Sequence, residues 1–444
     1  RALYGRRAGF FAALLIAVYP ALAAWPYLWS TMTESPFLLF TFSGLWAVYR
    51  ALHPDLASSP RRVTLWHAAV GFWFGLAYLV RPEGLTYFAA LGLFMAAWHL
   101  IRRDIFRPAV FGRLALAVVV CLVTLSPYVL YLHSVTGRWL LSGKVGLILD
   151  IAPAYLADDQ AAHDRAVSRL DSSGTEIMWL SPDRYEGSLS ANIAADPRGF
   201  LRDVRENIRR TIDALFAEDL FIPVIVALAA LGLFARPWSR RRWAAEALLF
   251  VALVPLASFW VFFVISRFLV GALPIGLLWA GAGLDRLVIW ARETMAEVWP
   301  RPAAPLSRRI ALMAAPALVA VSLVALALPQ LQAGTAVMPW ASVEAGEWLR
   351  ANTPPDAVLM TRNSEAALYA DRRLVAAPNA TWPELVEYGR ARSADYLLVG
   401  LPELRRLRPQ YAMLADPATA PPEVAYVATF GQGNQAQMLY RFVR

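Results

Sequence analysis

The chain has 444 residues, of which 58% are hydrophobic and 17% charged. Soluble domains run at about 45–50% apolar and about 25% charged, so the apolar excess is too large for one soluble core, and disorder is excluded with it. The net charge of +9 is almost wholly arginine, Lys144 being the lone lysine, and the single cysteine, Cys121, excludes a disulfide framework or a cysteine-based metal site. The arginines lie scattered between apolar stretches and form no stripe, which argues against nucleic-acid binding. The class that fits is a polytopic α-helical membrane protein. The opening RALYGRR, which starts at Arg1, reads as the interior of a longer protein, so an N-terminal truncation is expected.

A spanning helix takes about 20 mostly apolar residues. Nine stretches are read as spans: Gly9–Ser30, Pro36–Leu52, Val63–Val80, Leu85–Ile101, Leu114–Leu132, Leu220–Phe234, Trp243–Ile265, Phe268–Leu284 and Ile310–Leu328. Alternate loops are rich in arginine: Arg6 and Arg7, Arg61 and Arg62, Arg102 to Arg113, Arg236 to Arg242, Arg286 to Arg309. The short loops between them hold only Arg81 and Arg267. The positive-inside rule then places Arg1 in the cytoplasm and the C-terminus outside. Four domains are expected: N-terminal membrane helices at 1–132, an outer loop domain at 133–219, C-terminal membrane helices at 220–328 and an outer soluble domain at 329–444.

Within the first outer stretch, Arg198 to Phe216 places Leu201, Val204, Ile208, Ile212 and Leu215 on one helical face and Arg202, Arg205 and Arg209 on the other. Such a helix suits the membrane interface or packing on its own domain. In the last stretch, helical Val343–Asn352 precedes a short apolar run, Ala357–Met360; Glu365–Tyr369, Leu374–Ala377 and helical Trp382–Arg392 follow, then Tyr396–Val399, helical Pro402–Leu407 and two β-like runs, Val424–Phe430 and Met438–Val443. That alternation indicates a small C-terminal α/β domain on the outer side. Gly431 and Gly433 lie between two strand-like runs and read as a hairpin turn, not a phosphate loop.

Charges in the short outer turns need a reason, because the bilayer boundary penalises them. Glu34, in STMTESP, suits a general base, a cation contact or an arginine partner; a helix start with Ser35 as cap and Pro36 at the first position is the competing reading. Arg81 and Glu83 flank the RPEG turn and could pair with each other or with Glu34. Arg267 stands as the one charge between two apolar spans and suits a lipid phosphate or snorkelling to the interface. His133, Arg138 and Lys144 follow the fifth span. Asp158, Asp159, His163 and Asp164 form a denser group, read as a solvated helix start ahead of a metal site. No metal ligand is assigned.

These motifs in this order resemble the GT-C superfamily of integral membrane glycosyltransferases, and most of all its bacterial branch of protein mannosyltransferase-like and aminoarabinose transferase-like members. LYGRRAGFFAALLIAVYPALAAWPYLWSTMTESPFLLF is similar to the family helix that ends outside in an acidic residue. GFWFGLAYLVRPEGLTYF is similar to its basic hairpin, TLSPYVLYLHSVTGRWLLS to its segment after a span, and SRFLVGALPIGLLWAGAGL to its arginine-led late span. VEAGEWLRANTPPDAVLMT resembles the start of its soluble outer domain.

The resemblance implies an inverting glycosyltransferase at the outer (periplasmic) face. It moves a sugar from a polyprenyl-phosphate-linked donor to a lipid, glycan or protein acceptor, in a bacterial inner membrane. It implies a catalytic or supporting role for Glu34 and carrier-phosphate contacts at Arg81 and Arg267, with Glu83, His133 and Arg138 as weaker candidates. It leaves room for a divalent cation. Two features depart from the family. Its main catalytic acid lies in a loop upstream of Arg1, and LHS at 132–134 replaces its arginine–asparagine pair. A transporter or flippase of lipid-linked sugars, or a non-catalytic accessory subunit, are the competing classes.

Overall fold

The computed structural model describes residues 3–23, 33–53, 59–216, 220–235, 238–298, 314, 316–329 and 340–443. The ends of the first and last expected spans, 24–30 and 310–313, lie outside the described residues, as do Arg1, Arg236, Arg301, Arg308 and Arg309. The chain divides into two compact units: Arg1–Ser142 with Arg198–Ala336, and Gly143–Pro197 with Val337–Arg444.

The first unit is helical. Five described segments are long and apolar enough to cross a membrane: Pro60–Val80, Glu83–Ile101, Pro108–Thr136, Arg242–Val261 and Ser266–Thr294. This is fewer than the nine expected from sequence. The helix of the first expected span covers Arg6–Val18, and Pro223–Phe234 and Pro316–Pro329 are shorter apolar helices. Glu34–Leu52 is a regular 19-residue helix with Glu34 in its first turn and Arg50 in its last. The stretch read as one span at Trp243–Ile265 changes character near Pro255. An α-helix over Arg240–Val251 gives way to a 3-10 helix over Val254–Val261, as proline requires by removing a donor and crowding the preceding turn.

Pro108–Thr136 shows how these helices divide between neighbours and lipid. Its buried residues include Val110, Ala117, Cys121, Leu125 and Leu132, a single seam. Val118, Val119, Leu122, Val123 and Leu130 are exposed, as an apolar helix at a lipid boundary requires. Packing against the neighbour relies on small residues. A Cβ on Gly71 would lie 2.1 Å from the Ala117 carbonyl oxygen, and one on Gly283 would lie 1.9 Å from that of Leu228.

The amphipathic helix spans Pro197–Phe216, and it packs through Asn207, Thr211 and Ala214, while the arginine face stays exposed. The Asn207 amide donates to the carbonyls of Trp260 and Phe262 at 3.0 and 3.1 Å, and the Trp260 indole donates to the Thr211 hydroxyl at 3.0 Å. Leu201, Ile212 and Phe216 stay exposed. The apolar face expected from sequence is therefore divided: Leu215 packs against the core of this unit, whereas Leu201 and Ile212 stay exposed.

The second unit holds a five-stranded sheet of β1 (Val358–Thr361), β2 (Arg373–Ala376), β3 (Tyr396–Gly400), β4 (Val424–Phe430) and β5 (Gln437–Phe442), in the order β2-β1-β3-β5-β4. The first three strands are parallel, and β5 and β4 run antiparallel. Alternation along each strand builds two cores. Met360, Leu397, Val399, Met438 and Tyr440 face one side, and Leu359, Leu398 and Leu439 face helices Trp340–Asn352 and Ser364–Ala370 on the other. Gly431 and Gly433, both with positive φ, turn β4 into β5, which is the hairpin read from sequence.

Residues 143–197 join this sheet domain. Asp164, in the helix Gln160–Ser168, is 1% exposed and accepts from Arg408 and Arg362 at 2.8 Å each. The sequence reading gave this stretch and 329–444 as separate domains, and these ion pairs lie across that division. A 12-residue apolar helix, Val145–Leu156, also lies here.

Candidate active site

The RPEG turn sets the site. Pro82 disfavours helical backbone in the residue before it, and Arg81 is extended at φ −149°, ψ 134°, ending the helix Pro60–Val80. The next helix starts at Glu83. Gly84 lets the two pack back to back, since a Cβ there would lie 2.3 Å from the backbone nitrogen of Tyr78. The Arg81 side chain is thereby held against the start of a third helix, Glu34–Leu52. The backbone of Thr33, not Ser35, stands at the cap position of that helix, and Glu34 sits in the first turn, where the helix dipole favours a negative charge.

Glu34 Oε1 is shared by two guanidiniums: Arg81 Nη1 donates at 2.9 Å and Arg267 Nε at 3.1 Å. Arg81 also reaches Glu83 at 3.3 Å. Both pairings weighed from sequence therefore occur together. The Arg81 guanidinium carbon lies 5.5 Å from the Phe37 ring centre and 5.1 Å from that of Phe268, and these cation–π contacts fix its position. The side chains of Glu34 and Arg81 are each 8% exposed, whereas that of Arg267 is 41% exposed. Arg267 is thus the cation of the cluster that a ligand can reach. Glu34 Oε2 has no hydrogen-bond partner among the described residues.

Two cavities meet at Glu34. One, of about 640 Å³, is lined mainly by apolar side chains. They include Leu38, Phe42, Leu45, Trp46 and Tyr49 from the Glu34 helix, Ile16 and Leu22, and Leu248 and Ile275. From Glu34 to Tyr49 this wall runs roughly 22 Å along the helix. The other is small and lined by Glu34, Arg81, Glu83, Tyr87, Arg267 and Gly271 among others. A charged cluster therefore stands at one end of a long apolar groove, an arrangement that can hold an anionic head with its tail in hydrocarbon surroundings.

The weaker candidates divide. Glu83 joins the cluster. His133 stacks on Trp139 at 4.0 Å, and Arg138 is exposed beyond Gly137, whose left-handed φ of 67° ends the helix. Neither has a hydrogen bond or ion pair to Glu34, Arg81, Glu83 or Arg267 among the described residues. Asp159 accepts from the Ala162 amide as a helix cap, as the helix-start reading expects, while Asp164 is buried in its ion pairs. No group of three or more His, Cys, Asp or Glu is placed to hold a metal among the described residues.

Sequence reasoning missed Tyr87 and Phe268 as site residues. Tyr87 lies one turn beyond Glu83 on the same helix face, and Phe268 is next to Arg267. It also missed Glu246, which is 2% exposed inside the membrane unit. Glu246 accepts from the Trp279 indole at 2.8 Å, from Arg242 at 3.4 Å and from the Tyr4 hydroxyl. Its signal was an acidic residue in an otherwise apolar stretch.

Residues 1–131 match the family model described as dolichyl-phosphate-mannose-protein mannosyltransferase. Among solved structures, ArnT from Cupriavidus metallidurans bound to undecaprenyl phosphate is similar over 100% of this chain and 80% of its own, with a TM-score of 0.54 and 16% identity. The apo state of ArnT from the same organism matches with a TM-score of 0.55 and 15% identity over the same shares. No curated protein matches in sequence. The chain is thus mannosyltransferase-like in the sequence of its first 131 residues and ArnT-like in its fold.

Proposed function

We propose that the protein transfers a sugar from a polyprenyl-phosphate carrier to an acceptor at the outer face of a bacterial inner membrane, with inversion at the anomeric carbon. The observation that carries this reading is the Glu34 carboxylate, shared by Arg81 and Arg267 at the end of the apolar groove. The binding of undecaprenyl phosphate by ArnT, a protein of the same fold, supports it. In this reading the carrier's tail lies along Leu38, Phe42, Leu45 and Trp46, and its phosphate meets Arg267 first and Arg81 behind it.

The chemistry follows from the pairing. The acceptor hydroxyl attacks the anomeric carbon, its proton is taken up by a carboxylate, and the bond from that carbon to the phosphate oxygen breaks with its electron pair going to the carrier. The phosphate gains charge as it leaves, and the two guanidiniums stabilise that charge. An arriving phosphate also competes with Glu34 for both arginines. As they turn to the ligand, Glu34 is released, and its Oε2, which has no hydrogen-bond partner among the described residues, is the oxygen placed to take a proton or orient the acceptor.

The test is transfer by the full-length protein in nanodiscs with a polyprenyl-phosphate-sugar donor. Arg267→Ala is expected to lower the rate by about 10²–10³-fold with little change in melting temperature, because Glu34 keeps its 2.9 Å pair with Arg81. Glu34→Gln is expected to lower it too. Full rates in both variants would refute the site, and movement of lipid-linked sugar across liposomes without transfer would favour a flippase.

A further inference from the structure

We propose that the Tyr87 hydroxyl is a neutral donor to an oxygen of the carrier's phosphate, acting beside Arg81 and Arg267. This rests on the reading of the site as a polyprenyl-phosphate site. Tyr87 is 4% exposed, and its ring packs edge-on against Phe37 at 5.8 Å between centres. Its hydroxyl has no hydrogen-bond partner among the described residues. A phenylalanine would fill the same packing without burying an unmet donor, so the hydroxyl has a use only if something binds it.

The surroundings say what that is. Tyr87 lines the small cavity together with Glu34, Arg81, Glu83 and Arg267. A Cβ on Gly271 would come within 2.7 Å of the hydroxyl, so the bare glycine keeps the space beside it open. The cavity measures about 10 Å³, room for about one water, which admits a single oxygen and no sugar ring. Phosphate oxygens accept hydrogen bonds and are repelled by carboxylates. Among these wall residues, the partners that suit such an oxygen are the two guanidiniums and Tyr87. The hydroxyl adds a directed contact that leaves the charge balance between the arginines and glutamates unchanged.

The experiment compares wild type, Tyr87→Phe and Arg267→Ala as full-length proteins in nanodiscs. Dissociation constants are measured for polyprenyl phosphate and for the matching polyprenol, with inorganic phosphate as competitor. Tyr87→Phe is expected to weaken polyprenyl phosphate by about 10–100-fold, the range for a hydrogen bond to a charged group. Polyprenol binding and melting temperature are expected to hold. Unchanged phosphate-lipid affinity in Tyr87→Phe, with Arg267→Ala weakened, would overturn the role of Tyr87 and leave the carrier site standing. A lower melting temperature with equal loss of both lipids would make Tyr87 a packing residue and overturn it. Displacement by inorganic phosphate alone would assign the hydroxyl to a free anion. Wild type that binds polyprenyl phosphate no better than polyprenol would overturn both readings.

Discussion

Glu34 and Asp164 meet the same problem in different units. A carboxylate out of water is expensive unless its partners are close and well aligned. Glu34 is held by two arginines, one of them accessible, which leaves its pairing open to exchange with a ligand. Asp164 accepts from Arg408, which is fully buried, as well as from Arg362 and the Asn379 amide, and that pairing is closed. Burial pushes the Asp164 carboxyl up, but hydrogen bonds and charge from Arg408 and Arg362 outweigh it and hold the group below the ordinary 3.8. A depressed carboxyl stabilises the fold above its ordinary value and loses that contribution as pH falls through the lowered one. Asp164→Asn is therefore expected to lower stability by about 3 kcal/mol or more at neutral pH, read by pulse proteolysis of the intact chain in urea. The gap to wild type should shrink as the buffer is taken below the ordinary value. Glu403, pushed up by burial, also feels the Asp164 charge and pairs with Arg408 at 3.2 Å, so both proteins are compared in a Glu403→Gln background. A gap that ignores pH would remove Asp164 as its cause.

At the scale of elements, the RPEG turn carries the most consequence per residue. Pro82 fixes the exit of one helix, and Gly84 allows the next to lie against the backbone of Ala77 and Tyr78. Gly84→Ala places a methyl where backbone atoms already stand, so the helices must part and carry Arg81 away from Glu34. The expected result is a lower melting temperature together with weaker polyprenyl-phosphate binding; wild-type values for both would show that the hairpin tolerates the shift. This turn was legible in the sequence because proline and glycine act locally. The last two strands of the sheet domain were legible for a similar reason: the Gly431/Gly433 turn between two strand-like runs needs no distant partner. The roles of Asp164 and Glu246 were not legible. Asp164 depends on Arg408, 244 positions away, and Glu246 on Tyr4, 242 positions away. The Pro197–Phe216 helix was legible in its periodicity but not in its packing, because the hydrogen bonds of Asn207 and Thr211 with Trp260 seat a face that is neither the apolar nor the arginine one.

For the whole molecule, the arginine asymmetry between loops remains the strongest guide to orientation. The single cysteine, Cys121, is buried at 1% exposure in the Pro108–Thr136 helix, so a new cysteine can be read against a silent background. Gln432 is exposed in the turn between β4 and β5. Gln432→Cys is expected to react with a membrane-impermeant maleimide in intact spheroplasts. Labelling only after the membrane is opened would put the sheet domain in the cytoplasm and overturn the orientation read from the arginines.

The Asp164–Arg408 pair also sets a clock. A ribosome adding about 5–20 residues per second needs roughly 12–50 s to travel the 244 residues between them. During that interval the helix Gln160–Ser168 has been made and its buried partner has not. Residues 143–197 must wait, half of a domain in hand, while the intervening apolar helices are threaded into the bilayer. An arrest of synthesis anywhere before Arg408 leaves that carboxylate facing water and the stretch around it open to proteases, so truncated copies carry a built-in mark for removal.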